Sequence, residues 1–260
     1  MNDSLEIKWY MNIIKETDNI VYEEPLLFDE NLQLIEENSE IDYTYSEFIE
    51  ILDSKGQSSI YISCFSEEPD ILSQWRAYAD DGKGVSIGFN LDKLSEPDNI
   101  LLKEVKYTDV FNYSDIENNV ELIGETINTI FSDSKITDKR EKKEVFLNEL
   151  LPDFANFKNP AFEEEKEIRL IYCDDMKLQK LVDKYVPLEA KWNPIELEHD
   201  FRIIGDSIIT EFVKLNFNPE DIEDIYIGPK CSLAEYDVRN ITKKLLNREI
   251  EAKKSKASYR

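Results

Sequence analysis

The pattern of hydrophobic and polar positions across residues 58–90 predicts a strand, a short helix, a turn and a second strand. Residues 58–65 are rich in β-branched and aromatic side chains and alternate between two faces, which is typical of a strand. Pro69 then opens a helix, in which apolar residues recur at helical spacing as far as Tyr78. Residues 85–89 form the second predicted strand. The rest of the chain is organised around this stretch.

Scarce glycine is concentrated in the same stretch. The chain has seven glycines, and three of them lie at positions 82, 84 and 88. Because glycine tolerates positive φ and lets backbones approach closely, we expect the turn to touch another element or a ligand. We also expect Trp75, Ile87 and Phe89 to be buried together where the helix crosses its strand.

Periodicity predicts further elements on both sides of this stretch. Helical patterns cover residues 2–20, 24–38 (a helix or a loop with helical turns), 42–52, 112–131, 137–156 and, from a cap at Ser232, 232–247. Strand patterns cover residues 100–107, 165–172, 185–188, 208–216 and 222–227. The charged tail, 248–260, is expected to fray. We therefore predict one mixed α+β domain over residues 1–260, with an antiparallel-rich sheet, flanking helices and an inserted helical pair at 112–156.

Composition narrows the class of protein. The net charge of −25 argues against a broad nucleic-acid-binding surface, although it leaves a local basic groove open. No run of about 18 apolar residues predicts a membrane span. The N-terminus lacks the pattern of a signal peptide, so we expect a cytoplasmic protein. The three cysteines fit neither a zinc site nor a disulfide framework, and we expect buried thiols.

The strongest candidate for a catalytic group is a pair of carboxylates followed by an arginine in the predicted strand 165–172. Alternation places Glu165, Glu167 and Arg169 on one face, with successive members about 7 Å apart along the strand. Such a pair can divide its roles, one carboxylate stabilising a developing cation while the arginine holds the other. The alternatives are a solvent-facing edge of charge and a structural Glu–Arg pair, and they carry more weight on periodicity alone.

A second constellation surrounds the organising helix and its turn. Its candidate binding residues are Ser63, Ser66, Gln74, Trp75, Arg76, Tyr78 and Lys83. The two aromatic residues could stack on a nicotinamide or adenine ring, and the two cations could hold a phosphate, although core packing and surface charge are the commoner roles of such residues. No metal site is expected, because no cluster of carboxylates, histidines or cysteines has ligand spacing.

Three ordered motifs resemble the bacterial domain-of-unknown-function family 2971. Residues 64–66, 74–78 and 82–89 look like its "QWR-x-Y" helix and "G-x-GF-x-IGF" strand. Residues 157–170 look like its "FKHP-x-F-x-EEREWRL" segment, and residues 222–229 like its closing "I-x-x-I-x-IGP" strand.

The motif pattern of that family is in turn similar to the ADP-ribosyltransferase superfamily. The resemblance implies NAD as substrate, Tyr78 as the aromatic residue on the nicotinamide, and Glu165 or Glu167 as the acid that assists transfer. We expect Glu167 and Arg169 in a cleft with Tyr78 and the strand end 63–66, where Glu167 would hydrogen-bond the ribose and stabilise positive charge as the glycosidic bond breaks. In the superfamily a His or Arg on an early strand binds the nicotinamide ribose, and the histidine of the early His-Tyr-Thr strand of family 2971 has no counterpart in this sequence.

Three functions remain open at this point. The first is an NAD-dependent ADP-ribosyltransferase-like effector, such as a toxin or a phage-defence component that acts on a protein or nucleic-acid target. The second is a non-enzymatic module of the same fold that binds a protein or a nucleotide. The third is a metal-dependent nuclease or hydrolase that uses the acidic face.

Overall fold

A computed structural model describes residues 27–28, 43–44, 60–108, 152, 155–174, 193–205 and 208–258. In these residues the fold is mixed α+β, as predicted, with strands in small and mostly antiparallel sheets. The strands that the sequence assigned to one sheet are distributed over several sheets. The predicted elements 2–20, 112–131 and 185–188 lie outside the described residues, as does the part 137–151 of the predicted helix 137–156.

The helices and strands have the following bounds. The strands are β1 (Leu27–Phe28), β2 (Tyr43–Thr44), β3 (Ile60–Ser66), β4 (Val85–Phe89), β5 (Ile100–Glu104), β6 (Lys106–Tyr107), β7 (Phe157–Lys158), β8 (Glu167–Cys173), β9 (Glu198–Ile204), β10 (Ile208–Lys214), β11 (Ile222–Ile227) and β12 (Glu251–Lys254). The helices are α1 (Leu72–Tyr78), α2 (Leu91–Leu94) and α3 (Glu235–Leu246), with 3₁₀ turns at Pro160–Glu165 and Pro219–Asp221. None of the helices in this described part is long and apolar enough to cross a membrane.

The chain divides into two compact units, each made of three segments. The first comprises residues 1–62, 103–163 and 171–194, and the second 63–102, 164–170 and 195–260. Each boundary at residues 62, 102 and 170 falls inside a strand of the sheet with order β3–β8–β5. A single domain over 1–260 stays a prediction, and its insertion at 112–156 lies almost wholly outside the described residues.

In the first unit the described residues form two short ladders. β1 pairs antiparallel with β2, although the sequence predicted helical structure at both places. β6 pairs in parallel with β7. Phe157 of β7 is 1% exposed, and the Lys106 ammonium lies 5.6 Å from the centre of its ring.

The second unit has its core between one sheet and one helix. β11 pairs antiparallel with β4 and in parallel with β12. The buried core consists of Ile222, Ile225, Ile227, Val238, Ile250 and Ala252. Val238 belongs to the inner face of α3, so this helix covers the sheet. Burial of these aliphatic side chains is the main stabilising term of the unit.

Two expectations about the C-terminal part were wrong. The tail does not fray throughout, because residues 251–254 add strand β12 beside β11. α3 begins at Glu235, after Ala234 rather than Ser232, because the Asp237 carboxylate accepts a hydrogen bond from the Ala234 N–H at 2.9 Å. It ends at Asn247, which has the left-handed φ of 55°.

Other expectations differ in their bounds. The predicted strand 100–107 is two strands, β5 and β6, which belong to different sheets. β10 pairs antiparallel with β9, a strand that the polar sequence around His199 did not predict. All three cysteines are free thiols, and each is half-buried rather than buried.

The glycine turn touches another part of the backbone, as its composition suggested. The Gly228 N–H donates to the Gly84 carbonyl at 3.0 Å, and the Lys230 N–H donates to the Gly82 carbonyl at 2.9 Å. Asp80, Asp81 and Gly82 all have positive φ, which lets the chain reverse within these few residues. The turn is therefore fastened to the end of β11.

Trp75 is buried, as predicted, at 2% exposure. Ile87 is not, since 44% of its surface is exposed, and Phe89 is half-buried against Phe65 and Phe217. The β4 face that carries Ile87 therefore does not belong to the core around Trp75.

We expect Gly228→Ala to be strongly destabilising. A Cβ at this position would overlap the Gly82 carbonyl oxygen and lie 2.8 Å from the Gly84 carbonyl oxygen, and both atoms belong to backbone that cannot turn away. The free energy of unfolding should fall by about 3 kcal/mol, the upper range for overpacking. Chemical denaturation of the purified variant measures this change.

Gly88→Ala is the matched control for this experiment. Its Cβ would overlap only the end of the Asp224 side chain, which can rotate, and would lie at an ordinary contact distance of 3.5 Å from the Asp224 backbone oxygen, so the loss should be clearly smaller. Equal losses in the two variants would contradict the close backbone approach at Gly228.

Candidate functional site

β8 carries a buried ion pair. The Arg169 Nε donates to the Glu167 carboxylate at 2.6 Å, and the two residues are 0% and 4% exposed. They lie two positions apart on one strand, so their side chains share a face, as the sequence predicted. This face is buried, which excludes the solvent-facing edge of charge and leaves an Arg–carboxylate pair in a low-dielectric environment.

Glu165 does not share that strand. It closes the 3₁₀ turn Pro160–Glu165, and Lys166 follows with a left-handed φ of 42° before β8 begins at Glu167. The expectation that residues 165–172 form one continuous strand was therefore wrong at its first two residues. Glu165 remains half-buried and in partial contact with solvent, whereas Glu167 is enclosed.

Hydrogen bonds join the C-terminal end of β3 to the two residues that precede β8. The Ser66 hydroxyl donates to the Glu165 carbonyl at 2.8 Å, and the Glu67 N–H donates to the Lys166 carbonyl at 3.0 Å. The Lys166 ammonium pairs with the Glu68 carboxylate at 3.0 Å on the exposed side. Sequence reasoning placed Ser66 and Glu165 in one site, and the structure brings their segments together.

A second group of predicted residues lies on α1 and its turn. Gln74 is half-buried, and Arg76 is exposed and helps to lower the pKa of Asp81, a shift caused chiefly by the hydrogen bond from Lys230. The Lys83 ammonium pairs with Asp80 at 3.3 Å. Tyr78, at the end of α1, is 55% exposed, and Ser63 is exposed on β3. Of this group, Tyr78 offers an aromatic surface to solvent.

Trp75 has a structural partner that sequence reasoning missed. Its indole N–H donates to Asp70 at 2.7 Å, and the same carboxylate accepts from the Ser255 hydroxyl and, at 2.7 Å, from the Lys256 N–H. Asp70 thus joins the start of α1 to the segment after β12. An aspartate two residues before a helix can be recognised in the sequence as a residue that binds near the start of the helix. Its partners, 185 and 186 residues away, could not be predicted from the sequence.

These bonds shift the titration of Asp70. Burial raises its pKa, but the hydrogen bonds from Ser255, Trp75 and the Lys256 and Ala257 backbone outweigh that effect and bring the pKa below the ordinary 3.8. Among the described residues, no group of three or more His, Cys, Asp or Glu side chains is arranged to hold a metal ion.

Comparison with known proteins adds one match. Residues 74–170 match the family described as "Protein of unknown function (DUF2971)", and the chain resembles that family over this range. The matched range begins in α1 and ends inside β8, so it includes the glycine turn and the Glu167–Arg169 pair. No curated protein and no solved structure is significantly similar to the chain.

We expect Glu167→Gln to reduce stability. The amide keeps the size of the side chain and one acceptor but removes the negative charge beside a buried guanidinium. The free energy of unfolding should fall by about 3 kcal/mol, the lower end for breaking a buried ion pair. Glu164→Gln, an exposed change of the same kind three residues earlier, should stay within about 0.5 kcal/mol of the parent. Indistinguishable thermal midpoints for these two variants would contradict a structural role of the pair.

We expect Asp70→Asn to cost about 1.5–3 kcal/mol at neutral pH, the range for hydrogen bonds to a charged group. Because the folded pKa is below the unfolded one, this contribution is fully present above the unfolded value of 3.8 and is lost as pH falls through the folded pKa. The difference in unfolding free energy between parent and variant should therefore be constant above about pH 5 and shrink below about pH 4. Asp92→Asn, at an exposed carboxylate in α2, is the control variant measured over the same pH range.

Proposed function

We propose that this protein is an NAD-dependent ADP-ribosyltransferase-like effector, such as a toxin or a phage-defence component. In this proposal Glu165 is the acid at the reacting ribose, the Glu167–Arg169 pair positions the strand that follows it, and Tyr78 packs against the nicotinamide. The reaction class comes from the resemblance to the family matched over residues 74–170, whose motif pattern is similar to that superfamily.

The observation that carries the assignment of roles is the difference in burial between two nearby carboxylates. Glu167 is 4% exposed and is held by Arg169, so it is poorly placed to meet a substrate that arrives from solvent. Glu165 is half-buried two residues before the same strand, and its backbone carbonyl accepts a hydrogen bond from the Ser66 hydroxyl. A carboxylate with partial solvent access on a fastened backbone is the better candidate for a preorganised catalytic group.

The chemistry requires a negative charge near the ribose. The bond between ribose C1′ and the nicotinamide nitrogen breaks, nicotinamide leaves with the electron pair, and positive charge develops on the ribose. The acceptor then forms a bond to C1′ and loses a proton. An ionised Glu165 would stabilise that developing charge and hydrogen-bond the ribose hydroxyls, which lowers the barrier more than it strengthens ground-state binding.

A non-enzymatic module that binds a protein or a nucleotide is the second candidate. In either candidate Trp75 is excluded as a stacking residue, because it is buried with its N–H bonded to Asp70. In that case the exposed Tyr78 would be the remaining aromatic contact on α1. The two candidates differ in whether the protein releases free nicotinamide.

We expect Glu165→Gln to reduce nicotinamide release from NAD by roughly 100-fold, the scale for removing one preorganised electrostatic group. The hydrogen bond from Ser66 uses the backbone carbonyl of Glu165 and is kept in the variant, and the thermal midpoint of each protein, measured alongside, distinguishes lost catalysis from lost stability. Chromatographic measurement of nicotinamide gives kcat and KM, and Glu164→Gln is the control that should retain parental rates.

Two results would contradict the proposal. Full activity in Glu165→Gln would remove this residue from the acid's role. A parent protein that binds NAD without releasing nicotinamide would establish the binding module instead. Cutting of RNA or DNA that a chelator abolishes would support the metal-dependent nuclease.

A further inference from the structure

The outer face of α3 combines an exposed aromatic ring with basic and amide side chains. Tyr236 is 72% exposed, and the exposed residues that follow it on this face are Arg239, Asn240, Lys243 and Lys244. Their spacing of three, four, seven and eight residues from Tyr236 places them in one stripe, about 10 Å long between Tyr236 and Lys243. The opposite side of the helix, with Val238 and Thr242, is buried.

This face lies in the basic part of an acidic chain. Residues 235–258 contain seven lysines and arginines against four carboxylates, while the whole chain carries −25. An anionic partner would be repelled by most of the protein and attracted to this segment, so the local charge favours an anion.

Several of these cations already have structural partners away from the face. The Arg248 guanidinium donates to the carbonyls of Pro219 and Ile222. The Lys253 ammonium pairs with Asp224, and the Lys254 ammonium donates to the Leu233 carbonyl. The cations on the outer face of α3 are Arg239, Lys243 and Lys244, of which Lys243 pairs with Glu249.

We propose that the outer face of α3 binds single-stranded nucleic acid. The ring of Tyr236 provides a stacking platform for a base, and the cations one and two turns further on contact successive phosphates. The amide of Asn240 lies between these two groups and can hydrogen-bond a base edge or a sugar. The inference is independent of NAD chemistry.

The arrangement fits a nucleic acid better than an anionic membrane. A membrane-binding helix places its apolar stripe toward the lipid and its cations beside that stripe. Here the exposed apolar residues of α3, Ile241 and Leu245, lie on the flank away from the cations and next to the packed side. The single large ring among the cations is instead what base stacking requires.

Glu249 competes with this ligand. Its carboxylate pairs with the Lys243 ammonium at 2.6 Å, and both side chains are more than half exposed. Neutralising Glu249 would release Lys243 and remove a negative charge near the phosphates. The proposal therefore predicts that one substitution strengthens binding, which general damage to the fold cannot imitate.

The test is fluorescence anisotropy of the full chain with a labelled oligothymidylate of about 12 nucleotides, within the range of single-strand site sizes. Three phosphate contacts predict a slope of about −2 for log K against log salt, and Lys244→Ala should make it shallower by about 0.7. Tyr236→Ala should weaken binding roughly 5-fold or more. Glu249→Gln should strengthen it.

The matched controls lie off the face. Leu245→Ala removes an equally exposed apolar side chain of the same helix, and Lys214→Ala removes a cation that pairs with Glu198 and Asp200 on the β9–β10 ladder. Both should bind as the parent does. No binding at low salt, equal binding of heparin with no effect of Tyr236→Ala, or preferential binding to anionic lipid vesicles would each overturn the proposal.

Discussion

The close approach of Gly228 to the glycine turn is the constraint on which the second unit depends. Because Gly228 has no side chain, the end of β11 can donate a hydrogen bond to the Gly84 carbonyl at 3.0 Å, and Lys230 can donate to Gly82. The glycine turn leads directly into β4, which pairs with β11 in an antiparallel ladder. The other edge of β11 pairs with β12. A single atom added at Gly228 would separate elements that the aliphatic core otherwise holds together.

Charged residues occur in two different settings in the second unit, as a buried ion pair and as exposed side chains near the C-terminus. Inside, Arg169 and Glu167 neutralise each other on β8, where an unpaired charge would cost several kcal/mol. Near the C-terminus, residues 235–258 contain seven lysines and arginines against four carboxylates, although the whole chain carries −25. The buried pair stabilises the position of the strand, whereas the C-terminal segment carries a local excess of positive charge.

The buried pair also bears on the proposed chemistry. A carboxylate that is enclosed and paired is costly to rearrange, so it is suited to holding a strand in position. Glu165 lies two residues before the strand and has the opposite properties, because the left-handed conformation of Lys166 separates it from the ladder and it is partly accessible. The same short segment thus supplies both a support and a candidate reactive group.

The sequence by itself determined the local elements with strong periodicity and the identity of the paired residues. β4 has the predicted bounds, the helix over 72–78 lies where apolar spacing placed it, and Glu167 and Arg169 share a face because alternation in a strand is a local property. The concentration of glycine also indicated a close approach, since only a crowded or left-handed backbone requires that residue repeatedly.

Only the tertiary structure decided which of these features belong together. Asp70 meets Ser255 and Lys256 across most of the chain, Ser66 meets Glu165, and residues 251–254 become a strand although their charged sequence has little preference for one. Neither the burial of the Glu167–Arg169 pair nor the exposure of Ile87 follows from alternation, because a period of two identifies faces without saying which face the core covers. Long-range packing makes that choice, and it is absent from any local pattern.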